Sequence, residues 1–365
     1  MFDWLRRLIS DAPVPAAKPV PTPEADPAPE SQTTSQAKSR HFASDSVTDL
    51  QRYQVDFMFA SWLFEAENYP DIFTNPTEDA ILAALDEVVQ SKEAGAHLVR
   101  RMPGVIPQLL QSLRQPDFSG TEIARKIAHD HVLVAEVLRL ANSIAYSPGK
   151  PITSIDHAVL VLGQNGLRQL ITSVAFKPII NLNSGSFTRK LAPRLWSQSE
   201  RCALVSRMLA RDETVDQLDA FLAGLIQNIG LTVSLRVIDK MSEGGHPVGS
   251  ATFCNALASN GRALAVNIAN EWHFPEGVTE AIREQGATGK APSLSTVGQI
   301  LLMGDYLSKI DILARNGRLD IEDPQVLDGL SEKERACLRE LSAVEERDWV
   351  TLAAPAARAG TARSN

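Results

Sequence analysis

The stretch AFLAGLIQNIGLTVSL, residues 220–235, decides the fold. It is almost wholly apolar, holds no proline, and reads as part of one helix over 217–240. Gly224, near its middle, suits close packing of a neighbouring helix. Gln227 and Asn228 interrupt the apolar run. No stretch of about 18 or more uninterrupted apolar residues occurs anywhere in the chain, so no membrane span is expected.

Outward from this segment the helical pattern continues on both sides. Helices are predicted at about 191–211, 248–272, 276–285, 293–314 and 332–346, with few strand signals between them. Of the 365 residues, 44% are apolar and only 6% aromatic, with Ala, Leu, Val and Ile supplying most of the apolar mass. That composition supports a sizeable core and favours an all-α fold. The formal charge is −8. A general nucleic-acid binder needs a strong positive surface to displace counterions, so no nucleic-acid partner is expected.

Toward the N-terminus the organisation changes. Residues 1–10, MFDWLRRLIS, form a short amphipathic segment with Phe2, Leu5, Leu8 and Ile9 on one side and Arg6 and Arg7 turned away. It is too short for a stable isolated helix, and any membrane contact depends on its docking. It lacks the continuous apolar region of a secretory signal. Residues 11–46 carry Pro13, Pro15, Pro19, Pro21, Pro23, Pro27 and Pro29, followed by Ser, Thr and Gln, and read as a disordered linker. Residues 47–96 form a helical extension. Its first helix carries Leu50, Tyr53, Phe57, Trp62 and Leu63. Its second, near 76–93, opens on Pro76 and buries Ile81, Leu82, Leu85, Val88 and Val89.

Further along, Asp130 and Ser154 are placed as helix N-caps, and the tail 353–365 reads as mobile. Cys202, Cys254 and Cys337 are odd in number and widely spaced, which fits reduced thiols in a cytoplasmic protein. His129-Asp130-His131 cannot form a metal site on a helix, because residues two apart point about 200° away from each other. His97, His157, His246 and His273 are isolated, and no phosphate-binding glycine loop occurs.

Several blocks then agree, in order, with one family. They are MPGVIPQLLQSL (102–113), EIARKIAHDHVLVAEVLRLANSIAYS (122–147), ITSIDHAVLVLGQNGLRQLI (152–171), LWSQSERCALVSRMLA (195–210), the 220–235 stretch, and LAVNIANEWHFPEGVTEAI (264–282). Leu138, Leu140, Ala141, Asn142 and Ser143 make a near-literal match. Over residues 97–290 the chain resembles an HDOD domain, the HD-related output domain of bacterial signalling proteins. The resemblance implies an HD-like helical bundle, with residues 291–352 as a C-terminal helical part and Trp196 and Trp272 packed beside the cleft.

The resemblance also implies where chemistry would sit. Catalytic HD relatives hydrolyse phosphate esters at a metal centre of His and Asp, whose lone pairs and charge hold the cation and activate its water. The positions of that His-Asp pair are Gln227 and Asn228 here. An upstream histidine position, after Trp196, is Gln198, and a later His-His pair falls near Glu284 and Gln285. Asp305, in GDYLSKI, retains a carboxylate. Amides are poor metal ligands, so the chain is expected to lack a working metal centre, to need no cofactor, and to be no enzyme. Its amides are expected to line a cleft and bond one another.

The expected function is that of a non-catalytic signalling protein that binds a protein partner. The alternatives are a sensor that holds a nucleotide or cyclic dinucleotide without cleaving it, and a metal-dependent phosphohydrolase.

Overall fold

The structure, a computed structural model, describes residues 47–65, 72–91, 138, 152, 154, 157, 158, 172, 185–242, 248–286 and 294–343. The expectations for residues 1–46, for most of 92–184 and for the C-terminal tail lie outside the described residues. The described elements, in order, are α1 (Asp49–Leu63), α2 (Pro76–Gln90), α3 (Ser186–Leu209), α4 (Gln217–Ile226), α5 (Ile229–Met241), α6 (Ala251–Glu271), α7 (Glu276–Glu284), α8 (Thr296–Arg315), α9 (Pro324–Leu327) and α10 (Glu332–Ala343). A 3-10 turn, Ala210–Asp212, extends α3. The fold is all-α, with no strand among the described residues.

The helix starts follow local capping chemistry. Thr48 with Gln51, and Asn75 with Glu78, form reciprocal capping boxes at α1 and α2, and Pro76 occupies the first turn of α2. Asp216, Ser250 and Ser295 accept backbone N–H groups at α4, α6 and α8. Ser154 Oγ accepts from His157 N at 3.1 Å.

Two helix starts are held from a distance. At α3, Asp239 on α5 accepts from Phe187 N at 2.8 Å and Thr188 N at 3.1 Å. Gly185 is needed there, since a Cβ would fall 2.5 Å from Asp239 Oδ1. At α6, the buried Glu78 of α2 accepts from Gly249 N and Ser250 N at 2.7 and 2.9 Å, joining the N-terminal helices to the body.

Helix α3 is the central element. It packs against α4, α5, α8 and α10. One core gathers Val55 and Phe59 of α1, Ile81 and Leu85 of α2, Leu195 of α3, Phe253 of α6, Leu307 of α8 and Leu338 of α10. A second, around Trp196, Phe221, Leu225, Ile268, Ile282 and Leu301, lies among α3–α8. Backbones approach closely where small residues meet. Gly224 faces the Ala203 backbone, and Gly230 faces Gly261.

Three expectations are corrected. The 217–240 segment is two helices, broken at Gln227-Asn228, because Asn228 takes φ −92°, ψ 6° and both amides bond away from the helix axis. Helix α3 starts at Ser186 rather than near 191 and runs through Pro193, since Asp239 caps it from another element. Of the apolar residues that mark the 15-residue helix α1, Leu50 and Tyr53 are exposed, and the inward face is carried by Val55, Phe59 and Leu63 instead. The segment Gln217–Met241 is long and apolar enough to cross a bilayer, yet 78% of its most apolar window is buried against other helices, as in a core segment.

Candidate functional site

Four of the six residues singled out in the sequence meet where α3, the α4–α5 break and α8 converge. Gln198 is fully buried on α3. Its Nε2 donates to Asp305 Oδ1 at 2.8 Å and to Ser308 Oγ at 2.9 Å. Gln227 Nε2 donates to the same Asp305 oxygen at 3.1 Å. Asn228 Nδ2 donates to Gln198 Oε1 and, at 3.1 Å, to Ser199 Oγ. A helix break at Gln227-Asn228 is what lets two successive amides reach α3 and α8 together.

Lys309, one turn beyond Asp305 on α8, completes the cluster. Its Nζ donates to Asp305 Oδ2 at 2.5 Å and to Asp56 Oδ1 of α1 at 2.6 Å. The ammonium lies 5.6 Å from the centre of the Phe59 ring, a cation–π contact. Burial works against the charged form, but Asp305 and Asp56 more than offset it and hold the Lys309 pKa above the ordinary lysine value. Nearby, Cys202 is buried beside Ser206, and burial together with the Asp305 charge pushes its thiol well above the usual range.

Glu284 and Gln285 do not join this network. Glu284 accepts from Ser295 N and Ser295 Oγ, and Gln285 Nε2 donates to Ala281 O and Gly298 O. Both tie the end of α7 to the start of α8. Ser199, Ser308, Lys309 and Asp56 were not singled out in the sequence. The i, i+4 spacing of Asp305 and Lys309 was the available signal for one of them.

The donor set can be tested against a divalent cation. Asp305 accepts only, so both glutamines must present N–H to it, and both its oxygens are engaged by N–H donors. Gln198 Oε1 is taken by Asn228. Among the described residues no three His, Cys, Asp or Glu side chains group so as to hold a metal. These residues do not fit the metal that the HD resemblance implies. A cavity beside the network, lined by Trp196, Ser199, Leu225, Ile226, Asn228, Ile229 and Thr232, has a volume of about 10 Å³, room for about one water molecule.

Fold and site thus define an all-α helical bundle with an amide–carboxylate cluster where its central helices meet. The chain belongs to the HDOD domain family, whose profile matches residues 99–288. An uncharacterised protein of Treponema pallidum (strain Nichols) is 26% identical over 195 residues, which is 51% of this chain and 37% of the relative. The chain therefore matches little more than a third of that relative's length.

Among solved structures, an HDOD domain protein of unknown function from Geobacter sulfurreducens aligns with a TM-score of 0.52 and 18% identity, over 74% of this chain and 93% of that one. A candidate metal-dependent phosphohydrolase from Shewanella amazonensis SB2B aligns at 0.50 and 18%, over 74% and 99%. A candidate signal transduction protein from Marinobacter aquaeolei VT8 aligns at 0.50 and 18%, over 84% and 67%. At these identities the likeness establishes the fold.

Proposed function

We propose that this protein is a non-catalytic, cytoplasmic signalling component that acts by binding a protein partner through its HDOD bundle. The observation that carries the reading is the set of hydrogen bonds that joins Gln198, Gln227, Asn228 and Asp305 to one another. Phosphoester hydrolysis in this superfamily needs a metal to lower the pKa of its water. Here the side chains are bonded to one another, and both oxygens of the only carboxylate among the four accept from N–H donors. The scaffold keeps its packing, and what it offers a partner is helical surface. The kinship with a candidate signal transduction protein supports this reading, and the free thiols of Cys202, Cys254 and Cys337 suit a reducing compartment.

The test is metal and turnover on the purified full chain. Elemental analysis should find far less than one Fe, Mn or Zn per chain, and bis(p-nitrophenyl) phosphate should not be cleaved above background with Mn²⁺ added. One tightly held metal per chain together with turnover would end the reading.

A further inference from the structure

Asp305, Lys309 and Asp56 all lie outside residues 99–288, the stretch that matches the family. Yet Asp305 and Lys309 complete the cluster, and Lys309 connects it to helix α1. We propose that the Lys309 ammonium is the resident cation of this site, neutralising Asp305 in place of a divalent metal and fastening α1 across the cluster through Asp56. The proposal rests on the non-catalytic reading and deepens it. The site would exclude a metal by charge as well as by lack of ligands.

Geometry and charge carry the argument. Asp305 and Lys309 stand four residues apart on α8, so they share a face. The two oxygens of Asp305 divide their work, Oδ1 taking two amide donors and Oδ2 taking the ammonium. The Lys309 side chain is only 15% exposed, against 56% for Asp56, so the positive charge is sheltered and its outer carboxylate faces water. The Phe59 ring contributes its negative face from α1. A divalent ion brought to Asp305 would meet a fixed like charge within a few ångströms and would first have to displace it.

Two full-length variants test this. One carries Gln198→His, Gln227→His and Asn228→Asp, restoring ligand chemistry with Lys309 in place. The other adds Lys309→Met. Each is titrated with Mn²⁺ and with Zn²⁺ by calorimetry, with bound metal counted after dialysis. The variant lacking Lys309 should bind one equivalent, and the variant retaining it should bind on the order of a thousandfold more weakly. Equal affinity within about tenfold, or no binding by either, overturns the proposal.

Wild-type protein separates this from the broader reading. Stoichiometric metal in wild type sinks the non-catalytic reading itself, whereas metal-free wild type with a Lys309-containing variant that binds as tightly as the one lacking Lys309 sinks only the role of Lys309. A second pair keeps the test independent of the redesigned ligands. Lys309→Met should lower the melting temperature, and adding Asp305→Asn should recover most of the loss. An unchanged melting temperature for Lys309→Met counts against the proposal.

Discussion

Replacing Asp311 with Asn should unfold this protein at markedly lower denaturant. Asp311, on α8, is 1% exposed. Its Oδ2 accepts from Arg201 Nε of α3 and Arg315 Nε of α8, both at 2.8 Å, and its Oδ1 accepts from Ser342 Oγ of α10 at 2.9 Å. Arg315 also donates to Leu341 O and Ser342 O. One carboxylate therefore joins three helices. Arg201 is nearly as buried, and desolvation already drives its pKa down, with Asp311 the leading opposing influence.

The amide keeps the shape of the side chain and removes its charge, so the guanidinium loses its main compensation. Breaking a buried ion pair from one side costs about 3–5 kcal/mol. Glu200, also buried, still attracts Arg201, which places the expected loss at about 3 kcal/mol. With a urea slope of about 2–3 kcal/mol/M, the midpoint should fall by about 1 M or more, at unchanged slope, by circular dichroism. Adding Arg201→Met to Asp311→Asn should recover part of the loss, since the unpaired buried guanidinium is then gone while Arg315 and Ser342 still face the amide. A midpoint for Asp311→Asn equal to wild type would refute the claim that this carboxylate compensates a buried charge.

Other outcomes follow from the same packing. A Cβ at Gly224 would lie 2.7 Å from the N and Cα of Ala203, both backbone atoms, so Gly224→Ala should cost at least about 1–3 kcal/mol by thermal melts. Gly277→Ala, where nothing lies within 4 Å, should stay within about 0.5 kcal/mol of wild type. Burial holds the Cys202 thiol well above its usual range and raises Cys254 to about 12 and Cys337 to about 11, so thiolate is scarce at pH 8. Iodoacetamide should leave the native thiols essentially unlabelled at that pH and modify all three after denaturation. Fast labelling of native Cys254, which is only partly buried, would contradict this.

What the sequence showed and hid follows a physical line. The start of α2 was legible because Pro76 acts locally, and Gly224 was legible because a glycine inside an apolar helix signals close approach. The end of the 220–235 helix at Ile226 was hidden. Apolar residues flank Gln227-Asn228 on both sides, and the break is held by Gln198, Ser199 and Asp305, far away in sequence. The start of α3 was hidden for the same reason, since its cap comes from Asp239. Glu284 and Gln285 came from the family resemblance alone, and at a helix end their side chains turn toward Ser295 and Gly298 instead. Lys309 was missed because a lysine four residues from an aspartate reads as an ordinary solvated pair until α1 covers it.

These misses bear on how the protein is built. The N-terminal and C-terminal helices read as additions to an HDOD body, but α8 supplies Asp305, Ser308 and Lys309 to the central cluster, and α1 supplies Asp56 and Phe59. Helix α2 places the buried Glu78 at the start of α6, and α10 donates Ser342 to Asp311. The described residues all fall within one compact unit. Helices α8 and α2 thus bond directly to buried polar groups of the matched stretch, while α1 and α10 bond to Lys309 and Asp311 of α8, and a buried group left without its partner is costly. Trimming the chain to the family-matched stretch would strip those partners away, so the flanking helices are part of the folded unit and not attachments to it.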